Sequence, residues 1–144
     1  MKLTEIIKHS AIGAFVPGSI AHNCAKGSTD QSIAAGIKDG RRKSAHKTIG
    51  DKFDYGVTAV FVGMYDVILY GFCYGTALSA AIGTNLLGMS ETTFNQPSPG
   101  LAAIIGLITV ASRAGLNLFY KGFANEEKEA VQEALVERYA VNQT

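Results

Sequence analysis

Hydrophobic and polar positions fall into separate blocks along this chain. Between Tyr55 and Gly88, 34 residues carry a single charge, Asp66, and between Gly100 and Tyr120 a further 21 carry only Arg113. A largely uncharged apolar run of about 18 residues or more is long enough to cross a bilayer core of roughly 30 Å as a helix. The pattern therefore predicts an all-α integral membrane protein built on a two-transmembrane helical hairpin. Its spans lie near 55–87 and 100–120, joined by a short loop at 88–99. A soluble fold would need enough amphipathic helix to wrap both runs, and the flanks are too short to supply it.

The flanks read as short amphipathic helices. Leu3, Ile6, Ile7, Ala11, Ala14 and Phe15 recur at helical spacing opposite Thr4, Glu5, Lys8 and His9, and Pro17-Gly18 ends the pattern. Such a helix is suited to the headgroup layer or to a partner surface. Ser28-Thr29-Asp30 reads as the N-cap of a short segment from Gln31 to Asp39, with Gly40 as its stop. Residues 40–52 read as a basic loop or a continuing helix. After Tyr120, Asn125 is placed to cap a terminal helix from Glu126 to Tyr139, which carries five acids against two bases. The expected division is thus an N-terminal amphipathic and basic segment (1–54), the hairpin (55–120) and an acidic amphipathic helix (121–144).

Composition alone would not lead here. Hydrophobic residues make up 47%, charged residues 17%, and the mean hydropathy is +0.15, values an ordinary soluble domain can match. Segregation decides, because 22 of the 25 Lys, Arg, Asp and Glu residues lie outside 55–120. Lys38, Arg41, Arg42, Lys43, Lys47 and Lys52 crowd the approach to the first run, and the loop 88–99 has no Lys or Arg. Positive residues near a span stay on the cytoplasmic side, so both termini are expected inside. The basic segment reads as a membrane-surface element; it lacks the interleaved aromatics that a nucleic-acid groove uses. The N-terminus has no pattern of a cleaved signal, which leaves the first span as the expected insertion signal. Cys24 and Cys73 define no disulfide framework.

Small residues recur inside the runs. Gly71, Gly75, Ser79 and Gly83 keep a four-residue spacing, as do Ala102 with Gly106 and Ala111 with Gly115. Helix backbones can approach closely at such positions, where lipid supplies no hydrophobic drive. Two partners are open to them, the other span or a neighbouring subunit. The first run, as one helix, would extend about 51 Å, so one end projects beyond the core or the helix tilts or breaks.

Asp66 and Arg113 are the candidates for chemistry, because a charge at bilayer depth is costly and marks a pairing or a pathway. Their depths differ by roughly 6 Å, which an arginine side chain can bridge. An intramembrane charge pair is the favoured expectation and an ion or proton path the alternative. No catalytic, metal or cofactor motif is present: His9, His22 and His46 are scattered, and no GxSxG, Walker A or dinucleotide fingerprint occurs. Asn142-Gln143-Thr144 matches a glycosylation sequon, on the side expected to face inward. The expected partners are the lipid bilayer and other membrane subunits or copies of the chain, with no nucleic acid and no small-molecule substrate. The function that fits is a structural or accessory subunit of a larger membrane assembly, acting by helix packing without catalysis. The alternative is a homo-oligomeric pore of holin or channel type.

Overall fold

The computed structural model describes residues 2–84 and 96–141. Within them lie four helices and no strand: α1 (Leu3–Phe15), α2 (Ser19–Lys38), α3 (Ile49–Ile82) and α4 (Pro99–Val141). The end of the first apolar run at 85–87, loop residues 88–95 and the sequon at 142–144 lie outside the described residues.

Helices α3 and α4 are the long apolar pair, and each is long and apolar enough to cross a membrane. They lie side by side with residue numbers rising on one as they fall on the other. Ser98 N–H donates to Ala80 O at 2.8 Å at one end, and Asp66 meets Arg113 farther along. Each starts on a local signal. At α3, Thr48 Oγ1 accepts from Asp51 N–H at 3.3 Å while the Asp51 carboxylate accepts from Thr48 N–H at 2.6 Å, a reciprocal capping box. At α4, Pro99 occupies the first helical position, where a missing N–H leaves no intrahelical bond unmade. Gly83 closes α3 at φ +69°, in the left-handed region that favours glycine.

Helix α1 keeps the bounds the sequence pattern predicts, whereas the other flanking helices are longer than it predicts. Helix α2 starts at Ser19, so Ser28-Thr29-Asp30 sits inside a helix instead of capping one. Thr29 Oγ1 donates to Ala25 O at 2.8 Å, and Asp30 pairs with Lys47 at 3.0 Å. Their polar groups thus have partners other than a free helix end. The expected terminal helix is likewise the continuation of α4, which passes through Gly122 and Asn125 without a break. A mid-helix glycine costs about 1 kcal/mol against alanine. Packing beyond it offsets that: Ala124, Val131 and Ala134 are buried, the last two in a cluster with Ile33, Ala34 and Ile37 of α2.

Helices α1 and α2 touch each other little and pack on the long pair, α1 on α4 and α2 on both α3 and α4. Close approach there depends on glycines that pattern reading passed over. A Cβ at Gly13 would collide with Asn117 Cβ and lie 2.9 Å from Arg113 O, and one at Gly27 would collide with the Phe123 ring. Asn23 donates to Asn117 Oδ1 at 2.9 Å, and Asn117 Nδ2 donates to His9 O at 2.7 Å. Asn117 is fully buried and ties both flanking helices to α4. At the far end Arg138 donates to the carbonyls of Ile37 (3.2 Å) and Arg42, where a cation complements the C-terminal dipole of α2. The acidic tail therefore reaches the basic segment through its arginine.

Much of the outward surface of α3 and α4 is left uncovered by α1 and α2. Phe61, Leu69, Phe72, Leu101, Ile104 and Leu107 are all exposed. In the most apolar 18-residue window only 6% of α3 and 17% of α4 is buried.

Candidate functional site

The two charges inside the apolar helices meet. Arg113 Nη1 lies 2.5 Å from Asp66 Oδ1, with the Arg113 and Asp66 side chains 7% and 4% exposed. They arrive there because α3 and α4 register Ala80 with Ser98 and each helix then carries its charge roughly 14 residues along. The pair does more than join two helices, because both partners also hold a third element, the connection from α1 to α2.

That connection is a tight turn. Val16, Pro17, Gly18 and Ser19 form a type II geometry, with Pro17 at the second position and Gly18 at φ +82°, ψ −6° at the third. Ser19 N–H donates to Val16 O at 3.4 Å. The N–H of Gly18, which such a turn leaves unpaired, donates to Asp66 Oδ2 at 2.8 Å. Both Asp66 oxygens are therefore occupied, one by a cation and one by the turn.

The carbonyls at the end of α1 are met in the same way. A helix leaves its last four carbonyls without intrahelical donors. Here Ile12 O accepts from Val16 N–H at 2.8 Å, and Ala14 O from Tyr74 Oη at 2.6 Å. Phe15 O accepts from Tyr70 Oη at 3.3 Å, and Val16 O from Arg113 Nη2 at 3.5 Å. The guanidinium also lies 4.9 Å from the Tyr70 ring centroid, a cation–π arrangement. A cation beside the negative end of α1 further favours the contact. Arg113 Nε is buried without a partner among the described residues.

Chemically this cluster can hold backbone, and it offers little else. Its carboxylate is consumed, and the groove of about 350 Å³ beside it is lined chiefly by apolar side chains such as Val62, Leu69, Ile108 and Leu116. Among the described residues no group of three His, Cys, Asp or Glu comes together. Cys24 and Cys73 are both free thiols, and burial pushes the Cys24 thiol above its usual range.

The remaining expected positions separate. Gly71, Gly106 and Gly115 look into open space, with nothing within 4 Å of an added Cβ. Gly75 is half-buried, Ser79 is fully buried, and Gly83 is the end cap of α3. In the basic segment Arg41 pairs with Asp39, Arg42 with Asp51 and Lys47 with Asp30, whereas Lys38, Lys43 and Lys52 are exposed with no ion pair among the described residues. The hydrogen bond from Arg42, opposed by burial and reinforced by Thr48, holds the Asp51 carboxyl down at about 2. Asp51 lies before the apolar run, at the foot of α3.

Sequence reading missed Tyr70, Tyr74, Gly13 and Asn117. The two tyrosines carried a legible signal, since neither sits where an interfacial belt places tyrosine. A hydroxyl deep in an apolar run needs an acceptor, and the unmatched carbonyls before Pro17 supply one. Comparison with protein families, curated proteins and solved structures finds no match for this chain.

Proposed function

We propose that this chain is a structural subunit of a larger membrane assembly, working by helix packing and carrying no catalysis of its own. In this reading α3 and α4 are a transmembrane hairpin with both termini inside. The slab runs from Ile82 and Pro99 at one face to Phe61 and Tyr120 at the other. Those 22 residues on each helix rise about 33 Å, close to the core thickness. Lys38, Lys43 and Lys52 remain free for anionic headgroups.

The observation that carries the packing role is the placement of Gly71, Gly106 and Gly115. These small residues lie on apolar helices but face away from this chain's own interior, where glycine gains nothing by itself and a second helix can approach closely. The over-long end of α3, by contrast, is received within the chain, by α2 through His22–Tyr55 and by the segment after α2 through Arg42–Asp51. The pore alternative rested on Asp66 and the small-residue face lining or packing a conduit, and a carboxylate with both oxygens engaged gives the first of these no support.

Extraction of native membranes in mild detergent, followed by mass measurement, tests the proposal. Co-purifying partner subunits, or a defined complex of copies, is the expected outcome. A stable, monodisperse monomer would contradict it.

A further inference from the structure

We propose that α1 and the turn after it form a re-entrant element. The chain enters the bilayer from the side of its basic segment and turns at Pro17-Gly18 inside the hydrocarbon. It leaves again as α2, with the outward face of α1 held against acyl chains of that leaflet. This rests on reading α3 and α4 as spans, and the experiment below separates the two.

Depth comes first. The turn is fixed to Asp66 and Arg113 through Gly18 N–H and Val16 O. Arg113 stands seven residues above Tyr120, where the second apolar run ends, so the turn sits about 10 Å inside that edge. That is most of the way through one leaflet of roughly 15 Å.

The turn is also built for a place without water. Irregular backbone is tolerated at membrane depth only where protein satisfies its polar groups. Tyr74, Tyr70 and Arg113 donate to three successive carbonyls, and Asp66 accepts the one turn N–H left over. In water solvent would serve all four groups, and no set of apolar-helix side chains would be needed.

Orientation of α1 points the same way. Its buried residues are Gly13, packed against Asn117 of α4, and Ala14, while Leu3 (71% exposed), Ile7 (61%) and Phe15 (60%) face outward. A helix lying on a soluble core would turn those side chains inward. Its charges, Glu5 and Lys8, fall in its first half, and residues 10–17 carry none. Gly18 shares an open apolar groove with Val60, Met64 and Val67 of α3, which makes the tip continuous with the exposed apolar surface of that helix. The occupant of this face is therefore lipid.

Thiol labelling tests this in the full chain, with Cys24→Ser and Cys73→Ala removing the native thiols. Single cysteines are placed by Phe15→Cys, Val16→Cys, Leu107→Cys and Ser44→Cys, all at exposed positions. Proteoliposomes permeable to a charged maleimide give the reagent access to both faces. Only the thiolate reacts, and hydrocarbon suppresses it by raising the thiol pKa, by tenfold for each unit. Labelling at 15 and 16 should match that at 107, each about tenfold or more slower than at 44, and should become fast after denaturation in SDS. Fast labelling at 15 and 16 with slow labelling at 107 would overturn the re-entrant element alone. Fast labelling at 107 would overturn the membrane reading and this inference with it.

Discussion

Asp66 and Arg113 each have two duties, and that changes what their mutants should show. Leaving either charge buried and unpaired costs on the order of 3–5 kcal/mol, so Asp66→Asn and Arg113→Gln should each impair assembly or thermal stability in detergent. Removing both charges relieves the imbalance but leaves Gly18 N–H and Val16 O with weaker partners. The double mutant should thus be less damaged than the sum of the singles yet remain below the parent. Full additivity in a double-mutant cycle would show that the pair is not coupled. Glycines divide by the same residue-level logic. Gly13→Ala meets Asn117 and the Arg113 carbonyl, rigid neighbours, and should destabilise by about 1–3 kcal/mol as overpacking does. At Gly106 an added Cβ meets nothing within 4 Å; the melting temperature of Gly106→Leu should be unchanged while its native complex weakens. Loss of stability in Gly106→Leu would show that this face packs internally.

At the scale of elements, the long apolar helices and α1 were legible in the sequence, whereas the full length of α2 and the continuation of α4 were not. Runs with so little charge have few ways to be anything but helix across these lengths, so the apolar parts of α3 and α4 followed from pattern alone, whereas the continuation of α4 past Tyr120 did not. Helix α2 was half missed because its buried face is made of Asn23, Gly27, Thr29 and Asp30 as well as isoleucine and alanine. These residue types end isolated helices, and only tertiary partners make them helical. The Asp66–Arg113 pairing could be reasoned from depth, whereas the turn it holds could not, since nothing local to Pro17-Gly18 names its partners. The continuity of α4 is open to test. With no strain at Gly122 and open space around it, Gly122→Ala should stabilise by about 1 kcal/mol; a neutral or destabilising result in a chemical melt would argue for a break there. The foot of α3 adds a pH dependence. A carboxyl held at about 2 in the fold, against roughly 4 unfolded, contributes stability in full above about pH 4 and loses it as pH falls toward 2. Asp51→Asn should flatten the acid limb of stability between those values, and an unchanged limb would remove Arg42–Asp51 from the account.

Across the whole molecule, two regimes share one set of helices. One end is a four-helix arrangement with a small core at Ile33, Ile37, Val131 and Ala134 and exposed acids along α4. The other is a bare pair whose large side chains face outward. Water suits the first and hydrocarbon the second, and in the proposed slab the charged turn-holding site lies on the hydrocarbon side of their boundary. The most direct check on this division is alkaline-phosphatase fusion, since that reporter is active only outside the cytoplasm. Fusions are placed after Gln96, after Ser44 and after Val141 in a bacterial host. The account predicts activity at Gln96 alone. An inactive reporter at Gln96, or an active one at Val141, would contradict a pair of spans with both ends inside.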